Sequence, residues 1–337
     1  MSMNNITSKM NQDSYGYFQL HMSDFTRVSL SIVFTLVFLV GIIGNAVIIW
    51  FIGFKWTKTI STLLFINLAL ADSLFLIFIP VYTVYVLSNF HWYLGEFLCR
   101  VSSFFFTTNM YASMFLLTFI SIDKYLTLTS HRLVYKYRKY RNYYVCIGAI
   151  WCISIALGVP TLYYKRVILS SSRNETRCIS YYGDDKHTAI TIYRIIVCIR
   201  FIIGYVFPMT VILLLSYALI VYKVKFINKP PNRSFMITTA SIFVFLAFWT
   251  PHHVLNIISL YGLKSTSMYN YIKESIPFVN AIAFVYSAIN PIIYIFVIRL
   301  TSTYDSDTMD ELRSALLDEE TTSTEDCSDI EISDISR

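Results

Sequence analysis

The chain has 337 residues, 55% of them hydrophobic and 17% aromatic but only 14% charged, with a formal net charge of +6. A soluble domain carries about 25% charged residues, so an ordinary water-soluble fold is excluded and lipid is the expected solvent for most of the chain.

Residues 1–28 are polar and lack a basic start followed by a short apolar stretch and a cleavage site, so no removable signal peptide is expected. They are read as an extracellular N-terminal segment. A spanning helix needs about 20 mostly apolar residues, and seven candidates follow: 29–53, 60–87, 97–128, 142–163, 189–222, 235–261 and 274–298. Pro80, Pro160, Pro208, Pro251 and Pro291 lie inside five of them and are expected to kink the helices. The fold class is therefore all-α, a seven-transmembrane bundle over 29–298, followed by a tail at 299–337.

Orientation follows from the basic residues of short loops. Arg132, Lys136, Arg138, Lys139 and Arg141 follow the third helix, Lys223, Lys225, Lys229 and Arg233 the fifth, and Lys55 and Lys58 the first, with no acid among them. The N-terminus is expected outside and the C-terminus inside. The loop after the fourth helix breaks the pattern with five basic residues, accompanied by Glu175, Asp184 and Asp185. The glycosylation triplets that begin at Asn5 and Asn174 both fall on the expected outer side.

Cys99 and Cys178 are the two cysteines expected on that oxidising side, so a disulfide is expected between them. Cys146, Cys152 and Cys198 read as small core residues, and Cys327 as a free thiol of the tail. The tail holds 12 acidic and 3 basic residues, a net −9. With few aromatics it reads as disordered, either solvating or phosphorylated at Thr321, Thr322, Ser323 and Thr324.

A carboxyl inside a membrane helix usually faces the bundle interior and serves a purpose. Asp72 is the clearest case, and Asn45, Asn109, Ser113, Asn280 and Asn290 sit at similar depth. Together they form either an oxygen-rich pocket for sodium or water, or an interhelical hydrogen-bond network without an ion. No phosphate loop, metal-ligand spacing or catalytic triad is present, and the adjacent His252 and His253 point about 100° apart on a helix and cannot share a metal. No enzyme, no cofactor beyond that sodium and no nucleic-acid partner is expected.

The constellation resembles the rhodopsin-like G-protein-coupled receptors over about residues 30–298. The residues carrying it are Gly44-Asn45, Leu68-Ala69-Leu70-Ala71-Asp72, Cys99, Asp123-Lys124-Tyr125, Trp151, Pro208, Tyr217, Phe248-Trp249-Thr250-Pro251 and Asn290-Pro291-Ile292-Ile293-Tyr294. His91-Trp92-Tyr93-Leu94-Gly95, the run from Asn109 to Thr118 and Arg200-Phe201-Ile202-Ile203-Gly204 are similar to the chemoattractant branch, the formyl-peptide, anaphylatoxin and, a step further away, chemokine receptors.

The resemblance implies a ligand cavity reached by Arg200, Thr107, Tyr111, Trp249 and His253. Arg200 would either meet the anionic end of a peptide or small protein, or pair within the bundle. It implies G-protein coupling through Asp123, Lys124, Tyr125, Tyr217 and Tyr294, with arrestin and the lipid membrane as further partners. Three departures stand out: Thr107 replaces the acid of formyl-peptide receptors, Lys124 replaces the triad arginine, and only Arg299 remains of the basic surface helix after the seventh span. Such divergence would suit a receptor encoded by a large DNA virus, acting at the host plasma membrane. It also leaves open a decoy that internalises ligand without signalling. A transporter would show inverted repeats, and none is visible.

Overall fold

The structure, a computed structural model, describes residues 22–55, 59–170, 175–222, 233–262 and 266–302. Asn5, Asn174, Thr321, Thr322, Ser323, Thr324 and Cys327 lie outside the described residues, and Tyr294 is described only in its backbone.

Seven helical stretches are long and apolar enough to cross a membrane. The first is α1 (Asp24–Trp50), continued by a π turn at Phe51–Lys55; α2 (Ile60–Leu76) and α3 (Ile79–Leu87) form the second, and α4 (Gly95–Thr129) the third. The short α5 (His131–Tyr137) leads to α6 (Tyr140–Tyr164), the fourth, and then to a hairpin of β1 (Lys165–Ser170) and β2 (Glu175–Ser180). The fifth is α7 (Lys186–Phe201), a π turn at Ile202–Val206 and α8 (Phe207–Tyr222); α9 (Arg233–Gly262) and α10 (Thr266–Ser302) are the sixth and seventh. The end of the bundle carrying the hairpin is termed outer and the opposite end inner.

Two span boundaries differ from the hydropathy reading because polar first turns hide a helix start. At α1, Ser23 caps the helix by accepting a hydrogen bond from the Thr26 N–H at 3.2 Å. At α10, the helix begins at Thr266 and takes in Pro277 as well as Pro291. Pro80 does not kink a helix. It sits in the first turn of α3, after the break at Ile77–Phe78, where its missing N–H leaves no bond unmade.

The outer surfaces of the spans are apolar. On α1, Ile32, Leu36, Leu39, Ile43 and Val47 are exposed at helical spacing, while Leu30, Phe34, Val37, Gly41 and Asn45 are buried on the opposite side. Without lipid such a surface would be an aggregation hazard; in lipid it is the expected exterior. The same inversion corrects the cysteines: Cys146, Cys152 and Cys198 are exposed on outer faces and are not core residues. An apolar run cannot reveal which face looks inward when both sides are apolar.

Because lipid tails are as apolar as leucine, cohesion comes from close packing and interhelical hydrogen bonds. α4 lies at the centre, in contact with α2, α6, α8, α9 and β1. Gly44 lets α10 approach α1: a Cβ there would stand 2.7 Å from the Pro291 Cβ. The next residue, Asn45, donates from Nδ2 to the Gly41 and Ser287 carbonyls at 2.9 and 3.0 Å. Trp151 of α6 donates to Asn67 Oδ1 of α2 at 3.0 Å. Gly44→Ala is expected to destabilise the bundle by about 1–3 kcal/mol through overpacking, read as a lowered thermal midpoint of the detergent-purified protein.

Candidate functional site

The outer entrance is built by the hairpin. Cys99, in the second turn of α4, is disulfide-bonded to Cys178, which faces Val167 across the antiparallel strands. The Trp92 N–H donates to the Thr176 carbonyl at 2.8 Å and Thr176 Oγ1 donates back to the Trp92 carbonyl at 2.6 Å. Gly95 turns that segment into α4 at φ +75°, a conformation costly to any residue with a Cβ. Arg166 pairs with Glu96 at 3.0 Å and Arg177 with Glu175 at 3.6 Å. Two of the five basic residues that broke the loop-charge pattern are thus neutralised locally.

Beneath the hairpin lies a cavity of about 560 Å³. Of the residues expected to contact ligand, Arg200, Thr107 and His253 line it. Tyr111 and Trp249 do not: each is buried one helical turn deeper than Thr107 and His253 on the same helix face. Arg200 donates to Thr161 Oγ1 at 3.1 Å, and Thr161 in turn donates to Thr107 Oγ1 at 3.3 Å. Among the described residues no carboxylate pairs with Arg200.

Lys165, counted in the sequence only as loop charge, also lines the cavity, because the turn from α6 into β1 points it inwards. Burial, and then the Arg200 charge, hold its ammonium down at about 8. Lys165 and Arg200 thus share one cavity with Arg177, which is paired to Glu175, an arrangement that calls for an anion. Asn280, expected beside Asp72, is instead at the cavity wall, where its Oδ1 lies 3.1 Å from His252 Nδ1.

The cavity floor reaches the core through aromatic contacts. Phe106 stacks on Trp249 at 5.8 Å, and Trp249 stacks on Phe245 at 5.8 Å. Tyr205, turned by the π turn, hydrogen-bonds Thr250 at 2.5 Å, beside Pro251. Gly204 makes this possible by leaving room for the Tyr111 ring.

Deeper still, Asp72 is fully buried. Asn109 Nδ2 and Ser287 Oγ donate to its Oδ1 at 3.2 and 2.8 Å, and Asn290 Nδ2 to its Oδ2 at 2.7 Å. Ser113 joins through Asn109 at 3.4 Å. Of the expected set, Asn109, Ser113 and Asn290 are assembled around Asp72, Asn45 reaches the cluster only through the Ser287 carbonyl, and Ser287 is added; its place three residues before Asn290 puts both on one face of α10. Asn45, Asn109 and Asn290 each keep a buried Oδ1 without a hydrogen-bond partner among the described residues. Hard oxygen donors beside a carboxylate fit a sodium ion or bound water.

At the inner end the structure redistributes the expected roles. Asp123 Oδ1 accepts from Arg138 Nε at 3.2 Å and from the Tyr143 hydroxyl. Lys124 Nζ donates instead to Ser61 Oγ of α2 at 3.4 Å. The guanidinium missing from the triad is supplied from the loop, by a residue that sequence reading counted only as loop charge. Tyr125 is half-buried nearby. Tyr217 is 69% exposed and does not face the inner cleft, since it lies on the side of α8 opposite the buried Leu219 and Ile212.

The 7 transmembrane receptor (rhodopsin family) model matches residues 44–294, so the chain belongs to the rhodopsin family of seven-transmembrane receptors, multi-pass membrane proteins that are not enzymes. It is 99% identical over all 337 residues, and over the whole of the relative, to G-protein coupled receptor homolog FPV027 of fowlpox virus (strain NVSL). It is 35% identical over 268 residues to human Chemerin-like receptor 2, covering 79% of this chain and 75% of that one. It is 28% identical over 300 residues to the C3a anaphylatoxin chemotactic receptor of Oncorhynchus mykiss, covering 84% and 81%. The chain is a receptor of the chemoattractant type, and the expectation of a virus-encoded member has its counterpart in the fowlpox relative.

Proposed function

We propose that the chain sits in the plasma membrane with its N-terminus outside, binds an extracellular chemoattractant peptide or small protein in the outer cavity, and activates a heterotrimeric G protein. The observation that carries this reading is that Lys165 and Arg200 share one cavity, with no carboxylate paired to Arg200 among the described residues. A peptide's terminal carboxylate is the matching group. Pressure on Phe106 would reach Trp249 and shift α9 about Pro251, favouring one of two bundle states. The inner cleft beside Lys124, Tyr125 and Tyr294 would then take a G-protein helix. Sodium or water at Asp72, glycosylation at Asn5 and Asn174, and arrestin recruitment by a phosphorylated tail complete the proposal.

The test is expression of the chain in cells challenged with chemerin, C3a, chemokines and formyl peptides, with G-protein activation and ligand uptake read together. Activation by one ligand class supports the proposal. Uptake without activation by a well-expressed surface protein contradicts it and favours a decoy.

The cavity also sets a pH dependence. Lys165 is protonated below about 8, so affinity for a carboxylate ligand is full below that pH. It declines above it, until the higher pKa that the bound anion gives Lys165 is passed. Binding measured on either side of pH 8 is expected to show this decline in the wild type and to lose it in Lys165→Met.

A further inference from the structure

A second cavity, of about 600 Å³, lies at the inner end between α5 and the adjoining ends of α4 and α6. Lys136, Arg138, Lys139 and Arg141 line it, and its one acid, Asp123, is buried and committed to Arg138. Lys136, Lys139 and Arg141 are exposed and carry no ion pair with a carboxylate among the described residues. α6 starts here without an acid in its first turn and without a side-chain cap, which adds the positive end of a helix to the same space.

The surroundings say from which side an anion would come. Tyr144 and Val145, one turn further along α6, are 58% and 67% exposed on the lipid face, and the exposed Cys146 lines the cavity itself. The mouth therefore stands where the chain passes from hydrocarbon to headgroup level. Lysines act as point charges toward phosphate, and a space of this size exceeds what a single phosphate fills.

We infer that this cavity is a binding site for a polyanionic phospholipid, of the phosphoinositide class. Its phosphates would meet Lys136, Lys139 and Arg141 and its acyl chains would run beside Tyr144 and Val145. The inference rests on membrane embedding and on these side chains, and not on the ligand or the G protein of the outer reading.

The test uses the full chain in nanodiscs of phosphatidylcholine with or without phosphatidylinositol bisphosphate, with bound lipid counted by native mass spectrometry. Each surface charge contributes about fivefold to such binding, so the variant K136Q/K139Q/R141Q is expected to lose roughly 100-fold. Arg132→Gln, at an exposed position of α5 outside the cavity, is expected to bind as the wild type does. Should the triple variant unfold early, Lys136→Gln alone gives the reading, with about a fivefold loss. Equal retention by wild type and cavity variants overturns the site, as does an equal loss from Arg132→Gln. Soluble inositol phosphate binding as tightly as the lipid overturns the lipid as its occupant.

Discussion

Arg138→Ala is expected to be the most damaging single change at the inner end. The Arg138 and Asp123 side chains are 7% and 1% exposed, so truncating the arginine leaves a buried carboxylate with only the Tyr143 hydroxyl. Breaking a buried pair by removing one partner costs about 3–5 kcal/mol. The thermal midpoint of the purified receptor should therefore fall well below that of the wild type. Adding Asp123→Asn should recover most of the loss, because the stranded charge disappears with its partner. Two single variants that each leave stability unchanged would show that Arg138 does not neutralise Asp123.

Arg200→Ala should have the largest effect on ligand binding. A charge pair formed away from water loses about 2–5 kcal/mol when one partner is truncated, which corresponds to a loss of affinity of about 30-fold or more. Arg200→Lys should recover only part of it. It restores the charge but not the planar fork, and it gives up the geometry set by Thr161 at 3.1 Å. Equilibrium binding of the active peptide to these variants in membranes is the check, with circular dichroism to verify folding.

The seven spans were legible in the sequence because hydropathy reports directly on lipid, and the Cys99–Cys178 disulfide because only those two cysteines were expected on the oxidising side. The Asp72 cluster was legible too, since polar side chains are rare in such helices; its one stray, Asn280, showed that depth along a helix is not angular position around it. Facing was the blind spot. Tyr217, Cys146, Cys152 and Cys198 look outward, a distinction of helical phase that an apolar exterior erases, while Tyr111 and Trp249 lie one turn too deep on the faces that carry Thr107 and His253. Arg138 and Lys165 were hidden for another reason: each reaches its place through a loop whose path depends on tertiary contacts. A loop arginine near Asp123 could have been suspected from Lys124, since a buried acid without the usual arginine needs another partner.

The role of Arg200 as partner of an activating peptide's carboxylate is tested by G-protein activation by an active peptide and by its C-terminal amide, in cells expressing the wild type or Arg200→Ala. Amidation is expected to weaken the wild-type response at least about 30-fold, and Arg200→Ala to respond weakly and equally to both. Equal potency of acid and amide on the wild type, or ligand uptake with no activation at any dose, would contradict it.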